Sequence, residues 1–211
     1  MSINMEENKS SIEVRYRPEI DGLRAFAVIA VIINHFNKDI LPNGWLGVDI
    51  FFVISGFVIT SSLYQRTSNK FKDFICRFYA RRIKRLFPVL SVFVLVMSIL
   101  ICLFNPEPIL TLRTGLASLF GLSNLYLLKQ STDYFAQSTA LNVFTHTWSL
   151  GVEEQFYIIF PLLIWFSGFG RQIKNGTRNL FLIVGALAIT SFIGFLYIYP
   201  NNQSAAYFLM P

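Results

Sequence analysis

Long apolar runs separated by short polar segments dominate this chain, and the pattern predicts helices that cross a membrane. A helix needs about 20 consecutive apolar residues to span a bilayer, and most of the runs come close to that length. They lie near residues 24–37, 44–64, 87–104, 109–128, 147–167 and 179–199. Since neither an internal repeat nor a low-complexity linker separates them, we expect an all-α, multi-span transmembrane helix bundle of five or six apolar helices.

The composition also favours a membrane protein. Of the 211 residues, 54% are hydrophobic and only 14% are charged, whereas soluble domains carry about 25% charged residues. A soluble protein of this length has too little interior to bury 22 phenylalanines together with the other large apolar side chains. The net charge of +6 does not indicate a nucleic-acid partner, because the basic residues form a few clusters between the apolar runs. The expected partner is membrane lipid.

The distribution of lysine and arginine predicts the orientation, since basic residues favour the cytoplasmic side. Residues 1–24 hold four of them and residues 65–86 hold eight, whereas the turn 38–43 holds only Lys38. We therefore expect a cytoplasmic amino-terminal segment, 1–20, before a membrane domain over 21–211. The segment 65–86 would also be cytoplasmic and the turn 38–43 would face outward. The basic residues within 171–178 reach the cytoplasm only if 109–128 forms a re-entrant or tilted helix.

Two polar residues of the first apolar helix are candidates for chemistry, because ionisable groups inside a membrane are costly. Arg24 and His35 are eleven positions apart, which places them on one helix face about 16 Å from each other along the axis. Arg24 is either a functional residue or an interfacial anchor paired with Asp21. His35 lies deeper and is either a hydrogen-bonded histidine near the helix end or a group that accepts and returns a proton.

The start of the second run combines small residues with one carboxylate. Its glycines permit close helix approach, and Ser55 can form a hydrogen bond to a neighbouring helix. Asp49 lies one turn inside the run, where a carboxylate is expected to need a partner; His35 or an arginine would suit. The glycines are Gly44, Gly47 and Gly56.

Arginines recur at every fourth position before the third run, at 77, 81 and 85, and predict a basic stripe on a helix that leads into it. The stripe either anchors the chain to anionic lipid headgroups or binds the phosphates of an anionic donor such as an acyl-coenzyme A. A second polar cluster, His146 to Tyr157, opens the fifth run. There Glu153 shares a helix face with Ser149 and with Tyr157. Two adjacent carboxylates, Glu153 and Glu154, are more than a helix needs to anchor its end at the membrane boundary.

From these residues alone, the chain fits an acyltransferase, a proton-coupled transporter or a lipid-binding scaffold. A transporter is expected to show an internal repeat, and this sequence has none. Four motifs are more specific: IDGLRA at 20–25 with His35 following, GVDIFFVISGF at 47–57, RRIKRLFP at 81–88 and WSLGVEEQFY at 148–157. Together they resemble the acyltransferase-3 family, bacterial membrane O-acyltransferases that modify lipopolysaccharide O-antigen, peptidoglycan and other surface glycans.

This resemblance implies a role for each candidate residue. The donor would be acyl-coenzyme A, most often acetyl-coenzyme A, entering from the cytoplasm; the acceptor would be a sugar hydroxyl at the outer face. No permanently bound cofactor and no metal are expected. His35 would be the catalytic base. We further expect either Asp49 or Glu153 to orient its ring or stabilise the imidazolium, and the sequence does not choose between them. Donor binding would involve Arg24, Arg82 and Arg85, and acceptor binding would involve His146, Trp148, Ser149 and Tyr157.

The resemblance also implies a longer protein in the bacterial cytoplasmic (inner) membrane. Members of the family have about ten membrane helices, often followed by an extracytoplasmic hydrolase-like domain, whereas this sequence stops after its sixth apolar run. We therefore expect a fragment whose carboxy-terminal half is missing. An inactive remnant is the further alternative.

Overall fold

The structure is a computed structural model that describes residues 17–64, 70–132 and 142–209. Within these residues every regular element is helical, which confirms the predicted all-α class. The α-helices are α1 (Pro18–Phe36), α2 (Gly47–Tyr64), α3 (Phe71–Phe104), α4 (Ile109–Leu119), α5 (Ser123–Thr132), α6 (Trp148–Phe166), α7 (Gly176–Ile198) and α8 (Gln203–Leu209). A short 3₁₀ turn at Gly44–Leu46 precedes α2. Two further 3₁₀ turns flank α6: Thr145–Thr147 precedes it and Phe169–Arg171 follows it.

The apolar runs are helical over most of their length, and the protein is a multi-pass membrane protein. Four helical segments in the described part of the chain are long and apolar enough to cross a bilayer: Gly44–Tyr64, Phe71–Phe104, Thr145–Phe166 and Gly176–Ile198. The apolar helix Ile109–Leu119 is shorter. Large apolar side chains on α7 are mostly exposed, with Phe181 at 82%, as expected for a surface that faces lipid tails.

Helix α3 joins the basic segment to the third apolar run, as the arginine spacing predicts. It has 34 residues, so it is about 51 Å long, whereas the hydrocarbon core of a bilayer is about 30 Å thick. Its apolar second half is long enough to fill most of that core. Its basic first half, which carries Arg82 and Arg85, is therefore free to extend beyond the hydrocarbon. Residues 65–69 of the predicted cytoplasmic segment lie outside the described residues.

The run 109–128 is not one continuous helix, whereas the sequence predicts a re-entrant or tilted one. Helix α4 ends at Leu119 and α5 begins at Ser123. Between them Gly121 has φ +66°, a left-handed conformation that glycine adopts without steric cost. The amide of Gly121 donates to Ser118 O at 3.2 Å and that of Leu122 donates to Ala117 O at 2.9 Å. These two bonds are the Schellman pattern that ends a helix at glycine.

The chain divides into two compact units, Met1–Ile54 and Ser55–Pro211. In the first unit, α1 packs closely against the start of α2 through small residues. A methyl group added to Gly44 would lie 2.7 Å from Asn34 Cβ, and one added to Gly47 would lie 2.8 Å from Val31 Cγ2. Gly44 and Gly47 therefore have the packing role that the sequence predicts. Gly56 does not, because a methyl group there would meet nothing within 4 Å.

The second unit is built around α6. One cluster of buried apolar side chains joins this helix to α2, α3 and α7: Ile59, Leu63, Phe74, Phe78, Tyr157, Phe160, Ile164, Trp165 and Leu180. A second cluster joins α3 to the segment before α6, where Phe144 is fully buried beside Leu90, Val94 and Ile101. The packing fixes the rotation of α6 about its axis, and this rotation decides which way its carboxylates point.

Candidate active site

Glu153 of α6 is the centre of a group of polar side chains inside the second unit. Its Oε1 atom accepts a hydrogen bond from the Ser55 hydroxyl of α2 and another from the Tyr157 hydroxyl one helical turn later. Ser55 and Tyr157 are both buried, with 7% and 6% of their surfaces exposed. The four-residue spacing therefore predicts the Glu153–Tyr157 contact correctly, whereas the Ser55 contact comes from the packing of two helices.

Arg82 extends this group from α3. Its guanidinium carbon lies 4.6 Å from the centre of the Tyr157 ring, and its Nη1 atom lies 3.5 Å from the Tyr157 hydroxyl oxygen. The first distance is that of a cation–π contact, and the second is at the long limit of a hydrogen bond. The Phe78 ring lies on the same guanidinium at 5.7 Å. These contacts form a continuous series that runs from Arg82 through Tyr157 and Glu153 to Ser55.

Tyr79 supports the same region of α6 from α3. Its hydroxyl lies 3.2 Å from the carbonyl oxygen of Tyr157 and 3.1 Å from that of Ile158. Pro161 has no amide hydrogen, so the carbonyl four residues earlier, that of Tyr157, lacks its usual helical donor. The Tyr79 hydroxyl supplies a donor in its place. Sequence reasoning missed Tyr79, although Pro161 was the signal that this carbonyl would need one.

A cleft of about 220 Å³ opens beside Tyr157. Its walls are mainly apolar, and the charged residues that line it are Arg82 and Glu154. Small-molecule sites usually have volumes of about 300–1,000 Å³, so this cleft fits a short chain or one end of a larger molecule. The lining residues are Tyr79, Arg82, Ile83, Leu86, Phe87, Leu119, Phe120, Glu154, Tyr157 and Ile158.

The turn between α4 and α5 supports the side chains of α6 that follow Glu153. Gln155 donates through Nε2 to Gly121 O at 3.1 Å and to Asn124 Oδ1 at 2.8 Å. A methyl group on Gly121 would lie 3.1 Å from Glu154 Cβ, so any larger residue there would press on this side chain. Sequence reasoning used Glu154 only as the neighbour of Glu153. The structure places it in the cleft wall.

His35 lies near the end of α1 in the first unit, where it is exposed. Its Nδ1 atom is 2.8 Å from the Val31 carbonyl oxygen. A carbonyl oxygen only accepts, so Nδ1 donates and Nε2 of the neutral ring carries the lone pair. Arg24, on the same helix, forms the predicted pair with Asp21 at 3.7 Å.

Asp49 does not contact the residues that the sequence suggests as its partners. Its side chain is exposed, and within the described residues it pairs with neither His35 nor an arginine. Asp49 lies in the first turn of α2. There the helix dipole and unpaired backbone amides favour a negative charge.

The remaining candidates are spread over the second unit. Trp148 is buried against α8, with its ring 4.6 Å from that of Tyr207 and 6.2 Å from that of Phe208. Ser149 is half-buried, with its hydroxyl 3.4 Å from the His146 carbonyl oxygen, while His146 and Arg85 are exposed. Among the described residues, no group of three or more histidine, cysteine or acidic side chains could hold a metal ion.

Comparisons with known proteins agree on one family. Residues 17–211 match the acyltransferase-3 family model, described as an acyltransferase domain. The O-acetyltransferase OatA of Staphylococcus aureus (strain NCTC 8325 / PS 47) is 41% identical over 184 residues, covering 85% of this chain and 30% of OatA. A second protein, SAS0844 of S. aureus strain MSSA476, named as a candidate O-acetyltransferase, is 36% identical over 198 residues. This match covers 93% of the chain and 32% of SAS0844. The chain thus spans about a third of these relatives, and no solved structure is significantly similar to it.

Proposed function

Because this chain belongs to the acyltransferase-3 family, we propose that it serves in the transfer of an acetyl group from acetyl-coenzyme A to a hydroxyl of a cell-envelope glycan. The relatives named as O-acetyltransferases support acetyl as the transferred group. The structural observation that carries the proposal is the linked set Arg82–Tyr157–Glu153–Ser55 beside an apolar cleft. It combines a cation for an anionic donor, a fixed carboxylate and a space for an acyl chain.

The chemistry assigned to His35 is general-base catalysis. The Nε2 lone pair takes the proton of the acceptor hydroxyl while that oxygen attacks the thioester carbonyl. The carbon–sulfur bond then breaks, the coenzyme A thiolate leaves, and the imidazolium returns the proton to it. The products are an acetyl ester and free coenzyme A. The hydrogen bond from Nδ1 to Val31 holds the ring in the tautomer that this role requires.

The carboxylate assigned to the reaction is Glu153. Of the two carboxylates that the sequence offers as candidates, Asp49 is exposed, whereas Glu153 is held by two hydroxyl donors. A catalytic charge works best when its position is fixed before the reaction begins, because no reorganisation is then needed. We assign Glu153 the role of a fixed negative charge within the linked set of the second unit.

The donor assignment rests on Arg82. Arginine is suited to phosphate because its planar guanidinium can donate two parallel hydrogen bonds. Arg82 lines the cleft, and Arg85 follows on the exposed surface of the same helix. The donor's phosphates would bind at these arginines; Arg24, which lies in the first unit, stays a donor-binding candidate from the family resemblance alone. The cleft is too small for a whole nucleotide and suits the acyl-thioester end.

Membership of the family supports the proposed acceptor. The family and the four long apolar helices together support the proposed location in a membrane. The chain would lie in the bacterial cytoplasmic membrane with its amino terminus inside. His146, Trp148 and Ser149 would contribute to the acceptor region, and the acceptor would be a surface glycan such as peptidoglycan or lipopolysaccharide O-antigen.

The test is acetyl transfer in membrane vesicles that contain the full-length protein, with radiolabelled acetyl-coenzyme A as the donor. Base-labile label should appear in the glycan fraction, and His35→Ala should lower the rate by about 10²–10⁴-fold at normal protein levels. Lys38→Ala, in the turn that follows α1, is the matched control and should retain the rate. Near-normal transfer by His35→Ala would remove this residue from the mechanism.

The same vesicles separate the other candidate functions. A proton-coupled transporter would move an unmodified solute in response to a pH gradient and would leave acetyl-coenzyme A intact. An inactive remnant would give neither signal at normal protein levels.

A further inference from the structure

We propose that Ser55 is a positioning residue for Glu153. The hydroxyls of Ser55 and Tyr157 both donate a hydrogen bond to one carboxylate oxygen of Glu153, which leaves the other oxygen for the reaction. The inference rests on the proposed function, because it takes the catalytic use of Glu153 as given. Neither the motif spacing nor the comparisons assign this role to Ser55.

The geometry distinguishes the two oxygens of the Glu153 carboxylate. Ser55 Oγ and Tyr157 Oη both donate to Oε1. In the part of the chain that the structure describes, no hydrogen bond to Oε2 is found. A carboxylate can accept about four hydrogen bonds over its two oxygens, so two donors on one of them form an asymmetric arrangement. The carboxylate is therefore held at one end and open at the other.

Both donors are themselves fixed. Ser55 lies in the packed part of α2, one turn before the core residue Ile59, and is 7% exposed. Tyr157 belongs to the same core cluster and carries Arg82 over its ring. Since a serine side chain has a single heavy-atom rotation, the position of its oxygen follows from the backbone of α2. The packing of α2 against α6 therefore fixes the position of the Ser55 hydroxyl, and this hydroxyl in turn fixes the position of the Glu153 carboxylate.

This arrangement predicts a specific kinetic change. Hydrogen bonds to a charged group contribute enough that losing one should lower kcat by about ten- to one-hundredfold. The donor contacts assigned to Arg82 do not involve Ser55, so the KM for acetyl-coenzyme A should change less than about twofold. A defect of folding alone would instead lower the amount of active protein and leave kcat per active site unchanged.

The experiment uses full-length protein in vesicles with radiolabelled acetyl-coenzyme A. Ser55→Ala should show the loss of kcat at unchanged KM, and Ser55→Thr, which keeps a hydroxyl, should recover most of it. Thr60→Ala is the matched control, because it removes a hydroxyl from the same helix that donates only to the Gly56 carbonyl at 2.7 Å. Its rate should equal that of the unmodified protein.

Two results would overturn the proposal, and they are distinct from failure of the proposed function. If Glu153→Gln is inactive while Ser55→Ala is normal, Glu153 keeps its role and Ser55 loses the positioning role. If peptide mass spectrometry finds an acetyl ester on Ser55 after incubation with the donor, Ser55 is a nucleophile rather than a positioning residue. A normal rate for Glu153→Gln contradicts the proposed function itself.

Discussion

The guanidinium of Arg82 lies over the ring of Tyr157, with its central carbon 4.6 Å from the ring centre, and the hydroxyl of that tyrosine donates to Glu153. One side chain therefore contacts both the arginine proposed to bind the donor and the carboxylate proposed to serve the reaction. Substitutions at Arg82 and Tyr157 should separate these two functions, because one removes the cation and the other can remove the hydroxyl alone.

Arg82→Ala should raise the KM for acetyl-coenzyme A by about ten- to one-hundredfold, since a charge-assisted contact with phosphate is lost. Binding of the donor to detergent-solubilised full-length protein, measured by calorimetry, should weaken by the same factor. Lys84→Ala is the control, because Lys84 is exposed on the same helix and does not line the cleft. Equal affinity for Arg82→Ala, Arg85→Ala and the unmodified protein would assign the arginines to lipid anchoring.

Tyr157→Phe should act on the rate instead. The substitution keeps the ring under Arg82 and removes the hydroxyl that donates to Glu153 Oε1. We expect kcat to fall by about ten- to one-hundredfold, with KM for acetyl-coenzyme A within about twofold of the normal value. The comparison with Arg82→Ala is the control, because the two variants should show opposite kinetic patterns. A raised KM with normal kcat in Tyr157→Phe would place the hydroxyl at the donor.

The sequence predicted what depends on local pattern. The apolar runs are helical, the arginine stripe lies on a helix that continues into the third run, and the spacing of Glu153 and Tyr157 brings them into contact. Such features follow from helix periodicity, which relates residues three or four positions apart. The Arg24–Asp21 pair belongs to the same class.

Features that depend on packing between helices could not be predicted. The partner of Ser55 is 98 residues away in the sequence, and nothing in either segment identifies the other. The break of the 109–128 run depends on a left-handed Gly121 beside Glu154, although glycine also occurs inside continuous helices such as α7. Whether Asp49 contacts His35 or an arginine likewise depends on packing, and within the described residues it contacts neither.

Gly121→Ala should destabilise the protein and disturb the cleft. A left-handed conformation costs an L-residue about 1–2 kcal/mol, and the new methyl group would press on Glu154 in addition. The apparent melting temperature of purified full-length protein in detergent should therefore fall. Gly185→Ala is the matched control, because that glycine lies inside α7 with nothing within 4 Å of an added methyl group. Equal melting temperatures for the two variants would contradict the role given to the turn.

The predicted topology is testable by cysteine labelling of intact cells. Ile40→Cys should react with a membrane-impermeant maleimide, whereas Lys70→Cys should react only after the membrane is permeabilised. The reason is the positive charge of the 65–86 segment compared with the single lysine of the 38–43 turn. Both variants need Cys76→Ser and Cys102→Ser as background, since these free cysteines are exposed. Labelling of position 70 from outside would reverse the proposed orientation.

The close approach of α1 to Gly47 predicts different effects for two glycines of α2. A methyl group on Gly47 would meet the Ala27 carbonyl and lie 2.8 Å from Val31 Cγ2, so the helices must move apart. Overpacking of this kind costs about 1–3 kcal/mol. A methyl group on Gly56 meets nothing within 4 Å, and alanine is favoured over glycine inside a helix by about 0.5–1 kcal/mol. Gly47→Ala should therefore lower the melting temperature of the full-length protein in detergent, while Gly56→Ala should leave it unchanged or raise it. Equal losses in both variants would contradict the packing of Ala27 against Gly47.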